Sequence, residues 1–401
     1  MDHNHQPDDG RAGAVASLTA PAPSSPGAGE RIRWVRLSSI TLPLQQAISD
    51  AKVFTGRQRP MTEVVLLFAE VRSSAGLEGI GFSYSKRAGG PAQYAHAAEV
   101  AGDLLGEDPN DIPRLYDKLL WSGASVGRSG VAVQAIAALD IALWDLKAKR
   151  AGLPLAKLLG GHRDAVRTYN TSGGFLQADI AEVKENASRA LESGIGGIKL
   201  KVGLPDEQTD LRRVRAMREH LGDDTPLMVD ANQQWDRVRA LRIGRRLEEF
   251  DLTWIEEPLD AYDAPGHAAL TRALDTPIAT GEMLSSVAEH RALIGSQACD
   301  ILQPDAPRVG GITPFLQLAT LADVAGLDLA PHFAMEIHLH LAATYRREPW
   351  VEHFEWLDPL FNERLEIAGG RMLVPDRPGL GISLSDQARA WITETTEVGQ
   401  R

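Results

Sequence analysis

From about residue 165 onward the chain repeats one unit: a short apolar run that closes on a polar residue, followed in most cases by a helical stretch. The runs are "VRTYNTSGG", "GIKLKVG", "PLMVDAN", "LTWIEEP", "PIATGE", "DILQPD", "LDLAPHF" and "VEHFEW". Near-continuous apolar character over so few residues fits strands buried on both faces, as in a parallel sheet. Eight such strands with intervening helices predict an α/β fold of the (β/α)8-barrel type, in which all strands open at their C-terminal ends on one mouth. "ADIAEVKENASRALESG" is one of the helical stretches, with Gly194 placed to end it.

The preceding residues have a different texture. "MTEVVLLFAEVRSS" and "GIGFSYS", separated by "AGLEG", read as antiparallel strands. "VAVQAIAALDIALWDLKAKRAG" reads as a long helix that stops at Gly152, ahead of Pro154. Residues 31–160 are therefore expected to form an α+β domain and residues 161–368 the barrel. The Pro-, Gly-, Ala- and Ser-rich residues 1–30, with His3 and His5, read as a disordered arm. Residues 369–401 are expected to leave the barrel and pack back on the N-terminal domain.

From the second strand on, each barrel unit ends on an ionisable group. Lys199 and Lys201 close strand two, Asp230 strand three, Glu256 strand four, Glu282 strand five, Asp305 strand six, His332 strand seven and Glu355 strand eight. From Lys201 onward the spacing is 23 to 29 residues, one βα unit each time. Helix capping accounts for one or two acidic rungs. It does not account for Lys201 or His332, which are poor N-caps.

Asp230, Glu256 and Glu282 come from adjacent strands. Three facing carboxylates repel one another unless a cation lies between them. An all-oxygen ligand set favours Mg²⁺ over zinc. Lys201 and His332 then approach the centre from opposite sides, and Asp305 is placed to fix the imidazole tautomer. Lys199 shares the face of Lys201, where its charge is expected to push one amine towards neutrality. Lys199 is equally suited to clamp a substrate carboxylate.

"PHFAMEIHLHLA" holds three histidines, but His338 and His340 are two apart, about 200° on a helix. They are expected on the helix after strand seven, one facing the barrel and one the surface, so His332 acts alone. Glu257 alternates away from Glu256 and is expected in a structural ion pair. Asp260, Asp263 and Glu289 fit loops and solvated helix faces. His267 and His353 read as structural, and the single cysteine, Cys299, as a buried, inert thiol.

The net charge of −12, with no basic run, makes nucleic acid and anionic membrane surfaces poor candidates as partners. An anionic substrate must then be held by local cations or a metal. No apolar run reaches the roughly 18 residues that span a bilayer. The acidic N-terminus lacks a signal-peptide core. With one cysteine there is no disulfide within the chain, and a cytoplasmic protein is the simplest reading.

The string "KLK…VDAN…WIEEP…TGEM…QPD…PH…FEW" resembles the enolase superfamily in its mandelate racemase subgroup. The resemblance covers nearly the whole chain after residue 30 and implies a capping domain over a barrel. It implies Lys201 as a base, Asp230, Glu256 and Glu282 as Mg²⁺ ligands, Asp305 and His332 as a dyad, and Glu355 as the acid that hydrogen-bonds a substrate carboxylate oxygen. A finer likeness, through "VDANQQWDR", "PDAPRVGGITPF", "APHFAMEIHLHLAA" and "FEWLDPLFNERLE", is to the subgroup's dehydratases of six-carbon diacid sugars (galactarate and L-talarate). For such a diacid, Lys86 in the Gly-rich "SYSKRAGG" is a candidate for the distal carboxylate, with Arg57 a weaker one. Asn232 and Gln234 are candidates for substrate hydroxyls. Members usually assemble, so a homo-oligomer is expected.

Two other readings stay open at this point. A further dehydratase or racemase of the subgroup would share the barrel groups. A Schiff-base aldolase also uses a barrel lysine but has no need of three facing carboxylates.

Overall fold

The computed structural model describes residue 1 and residues 29–400. The proposed N-terminal arm, with His3 and His5, lies outside the described residues except at its ends. The N-terminal part is an antiparallel sheet of β1 (Ile32–Ile48), β2 (Met61–Ser73) and β3 (Glu78–Lys86). The long helix Val131–Ala151 packs across it and stops at Gly152, which adopts the left-handed backbone that favours glycine. The contact is close because β3 carries glycines where the helix crosses. A Cβ on Gly79 would lie 2.1 Å from Ala142 O, and one on Gly81 would lie 2.2 Å from Ala138 O. That approach fixes β3, whose far end supplies Tyr84 and Lys86.

The second part is a barrel. Its strands are β4 (Ala165–Asn170), β5 (Ile198–Lys201), β6 (Leu227–Asp230), β7 (Trp254–Glu256), β8 (Ile278–Thr280), β9 (Ile301–Leu302), β10 (Asp328–Leu329) and β11 (Trp350–His353). They pair in parallel from β4 through β10, and β11 pairs in parallel with β4 from the other side. The pattern departs from a full eightfold repeat after β11, where a 3₁₀ turn, Glu355–Leu360, replaces a helix. Tyr169, Met228, Trp254, Ala279, Ile301, Ala330 and Trp350 fill the interior. Tyr169, Trp254 and Trp350 meet edge to face, with centroids 5.1 to 6.2 Å apart. The barrel is therefore plugged below, and its polar residues collect at the open end.

The tail divides. β12 (Ile367–Ala368) and β13 (Arg371–Leu373) form a hairpin, and β13 pairs antiparallel with β4 at the barrel. β14 (Ile392–Gly399) returns to the N-terminal sheet along the free edge of β1, and Leu380 N–H donates to Asp145 Oδ1 on the long helix. Among the described residues no helix is long and apolar enough to cross a membrane.

Candidate active site

Parallel register sets the first layer of the site. Lys201 pairs with Asp230 and Asp230 with Glu256, so three strand ends stand level. Glu282 follows β8 by way of Gly281, at φ +133°, a backbone that side-chain-bearing residues rarely adopt. One carboxylate oxygen from each of Asp230, Glu256 and Glu282 lies within 4.8 Å of the others, and all three side chains are buried.

The electrostatics show how crowded this cluster is. Burial pushes Glu256 up, against the pull of Lys199, and Asp230, Glu282 and Glu352 add to the rise. Burial would raise Asp230 too, but Lys201 and Lys199 outweigh it and hold that carboxyl low. Gln303 Nε2 (2.6 Å) and Trp254 Nε1 (3.0 Å) both donate to Glu256 Oε2. Three converging oxygen donors with an excess of negative charge suit a hard divalent cation.

Lys201 Nζ lies against Asp230 Oδ2. Lys199 has the expected effect on this amine but does not decide its charge. Burial draws Lys201 down and Lys199 adds to that, yet the facing Asp230 prevails and the amine stays above its ordinary value. Lys199, the candidate carboxylate clamp, is buried, with Nζ 2.5 Å from Glu256 Oε1 and 2.8 Å from Glu352 Oε1.

Across the cavity, His332 Nδ1 lies 2.7 Å from Asp305 Oδ2. His332 Nε2 faces Glu282 Oε2 at 3.5 Å. Burial, followed by the nearby charge of Lys86, pushes His332 down to about 3, so the ring is neutral. Asp305 also caps the short helix Ala306–Val309, its Oδ1 accepting from Arg308 N at 3.1 Å. Capping and dyad geometry thus coexist in one residue.

Strand eight requires the largest correction. Glu355 is exposed and lines an outer groove of about 610 Å³. The inward carboxylate is Glu352, on the same face of β11 as Trp350, and it is buried. It accepts from Thr171 Oγ1 at 2.5 Å and from Phe333 N at 2.7 Å, beside His332. Burial would raise it, but Lys199 holds it well below the usual carboxylate range.

Other expectations also change. Gln234 donates to Asn232 O (2.7 Å) and accepts from Thr55 (2.9 Å), away from the cavity. Asn232 lines the cavity, held by Asp230 through its N–H (2.8 Å), and its buried Oδ1 has no partner among the described residues. Arg57 is exposed and reaches Gln233 O at 3.4 Å. Glu257 makes no ion pair among the described residues and instead accepts from Gln233 Nε2 at 2.9 Å. His338 and His340 are both buried. His338 Nε2 accepts from Ala306 N (2.9 Å), and His340 spans Ala156 N and Leu380 O. Cys299 is buried, and burial pushes its thiol up to about 12.

The mouth is closed by the N-terminal domain, leaving a cavity of about 230 Å³ lined by Lys201, His332, Asn232, Glu282 and Glu352 from the barrel and by Tyr84 and Lys86 from β3. Lys86 Nζ sits over the rings of Phe333 (4.2 Å) and Trp356 (5.6 Å). Burial, with Arg308 next, pushes Lys86 down to about 8. Arg308 lines the same cavity and spends one N–H on Met283 Sδ at 3.2 Å, a weak acceptor. The sequence reading missed Tyr84, Arg308, Gln303 and Glu352. Only Glu352 had a usable signal, the alternation from Trp350.

Comparison with known proteins bears on this architecture. Residues 53–160 match the mandelate racemase/muconate lactonizing enzyme N-terminal domain, and residues 182–388 match the enolase C-terminal domain-like family. The chain belongs to the enolase superfamily. Within that superfamily it is 65% identical over 373 residues to the L-talarate/galactarate dehydratase of Salmonella typhimurium, covering 93% of this chain and 94% of that one. The crystal structure of the Salmonella enzyme liganded with Mg and L-lyxarohydroxamate superposes with a TM-score of 0.94 at 63% identity, covering 97% and 100% of the two chains. An L-talarate dehydratase from Polaromonas sp. JS666, complexed with Mg and L-glucarate, gives 0.91 at 67% identity, covering 93% and 100%.

Proposed function

We propose that this enolase-superfamily chain is a magnesium-dependent hydro-lyase that dehydrates a six-carbon diacid sugar, galactarate and/or L-talarate, to a keto-deoxy diacid. The observation that carries the reading is one small cavity lined by Glu282 of the triple-carboxylate cluster, by Lys201 and His332, and by two cations, Lys86 and Arg308. The named relatives and their ligands support the same substrate class.

Asp230, Glu256 and Glu282 would hold Mg²⁺, which when bound supplies positive charge beside the substrate carboxylate. The chain's own groups carry the proton transfers. His332 Nε2, which carries the lone pair, takes the proton from the carbon next to that carboxylate while Lys201 keeps its own, and the electron pair moves into an enediolate; for the opposite configuration Lys201 Nζ is the base once it has given up its proton, with His332 carrying one. The group on the other face protonates the departing β-hydroxyl, which leaves as water, and the enol ketonises. With a base on each face, either configuration at the reacting carbon is served, and epimerisation accompanies dehydration. Asn232 Oδ1 accepts a substrate hydroxyl, and Lys86 with Arg308 takes the distal carboxylate. A homo-oligomer belongs to the same reading, with light scattering as its measure.

The test is a screen of diacid and monoacid sugars scored for ketone formation, with and without EDTA. Ketone from galactarate or L-talarate, abolished by EDTA and indifferent to borohydride, is the expected result. Full turnover after chelation, or faster turnover of monoacids, overturns the proposal.

A further inference from the structure

Tyr84 is a cap residue, yet its hydroxyl sits inside the barrel's dyad. Oη lies 2.5 Å from Asp305 Oδ2 and 3.3 Å from His332 Nδ1, and the same Oδ2 lies 2.7 Å from that Nδ1. We propose that Tyr84 is a positioning residue: by donating to Asp305 it holds the carboxylate oxygen that orients His332, so His332's half of the chemistry depends on the seating of the cap. This inference rests on the reading of His332 as one of two bases.

The direction of the bonds follows from counting protons. A phenol has one hydrogen to give. Arg308 Nε, which can only donate, lies 3.4 Å from Oη, so the tyrosine oxygen faces a donor on that side. If the phenol gave its hydrogen to His332 Nδ1, Asp305 Oδ2 would face two heteroatoms with no proton between them. Two acceptors at 2.5 and 2.7 Å repel. The consistent assignment has both Tyr84 and His332 Nδ1–H donating to Asp305 Oδ2. The lone pair of His332 then lies on Nε2, towards the cavity.

The surroundings hold this arrangement. The Tyr84 ring meets Phe333 edge-on, with centroids 4.8 Å apart at 68°. Asp305's other oxygen is occupied by Arg308 N, and the next backbone N–H, of Ala306, is held by His338. Burial, with Asp305's charge, raises the Tyr84 hydroxyl well above its ordinary value, so it remains a donor.

Tyr84→Phe deletes one oxygen and keeps the ring, so the packing against Phe333 is retained. The experiment places it in two backgrounds of the Mg²⁺-loaded protein, Lys201→Met and His332→Asn. It follows deuterium uptake from D₂O, by NMR, at the carbon next to the carboxylate of galactarate and of L-talarate. In Lys201→Met, where His332 is the remaining base, Tyr84→Phe is expected to slow exchange by about ten-fold or more, the loss of one charge-assisted hydrogen bond. In His332→Asn, exchange through Lys201 is expected to stay within about two-fold, the range of an unperturbed site. Equal loss in both backgrounds, the mark of a general structural role, overturns the proposal, and so does no loss in either. If neither single variant exchanges either sugar, the two-base reading fails and this inference with it. Ketone formation by the unsubstituted protein judges the dehydratase reading separately.

Discussion

Lys199 Nζ lies 2.8 Å from Glu352 Oε1 and 2.5 Å from Glu256 Oε1, so one buried ammonium joins β5 to carboxylates on β7 and β11. Removing it leaves those acids facing one another without a counter-charge. Lys199→Met is expected to lose about 3–5 kcal/mol of stability, the cost of breaking a buried ion pair from one side. Urea unfolding measures it, and an unchanged midpoint contradicts this account of the barrel floor.

Glu352 and Glu355 separate two readings of strand eight. Glu352→Gln weakens the hold on Lys199 and on the Phe333 N–H beside His332, and about a hundred-fold loss of kcat is expected from two charge-assisted bonds. Glu355→Gln, on the exposed groove side, is expected to stay within about two-fold. Steady-state kinetics on both variants decides between them.

Mg²⁺ should protect the fold through its ligands. At about a hundred times Kd, a ligand bound only by the native state adds about 2.7 kcal/mol. Titrating Mg²⁺ against the unsubstituted protein is expected to raise Tm. The rise should vanish in Glu256→Gln and Asp230→Asn. Protection that persists in both variants moves the ion elsewhere.

Lys86 and Arg308 line the cap side of the cavity, and burial with mutual repulsion leaves Lys86 near 8. A carboxylate between them relieves that repulsion. Lys86→Met and Arg308→Met are each expected to raise KM for a diacid sugar by about ten- to a hundred-fold, with little effect on a monoacid of the same length. Equal changes for both sugars count against a distal-carboxylate role.

Stability should fall in mild acid for a reason remote from catalysis. Burial pushes His338 and His340 down to about 4, below the 6.5 of a free imidazole. Between those values the unfolded chain binds protons that the folded one refuses. Their contribution is therefore present above pH 6.5 and is lost as pH falls through about 4. Each accounts for on the order of a few kcal/mol. His340→Gln retains a donor and an acceptor but does not titrate, so its Tm should depend less on pH over this window. An unchanged slope refutes the assignment.

What could be read from the sequence follows the strand ends. Asp230 and Glu256 are the last residues of their strands, so period and parallel pairing alone bring them level. The "FEW" string points to Glu355, but side-chain alternation along β11 selects another acid. Trp350 points inward, so Glu352, two residues on, does too. Tyr84 and Arg308 left no local trace. Their contact spans 224 residues and depends on how the cap sits on the barrel. Lys201's charge balance was equally hidden, because it depends on the distance to Asp230 and on desolvation rather than on the spacing of two lysines.

The pairing of β1 with β14 has a consequence during synthesis. Trp34 waits for Gly399, and Arg36 for Glu397. β1 can fold against β2 as soon as both leave the ribosome, but its other side stays open until nearly the whole chain has followed. Over that interval a nascent polypeptide displays an unsatisfied strand edge that another copy can zip onto. Slow translation of the last barrel units would lengthen this exposure.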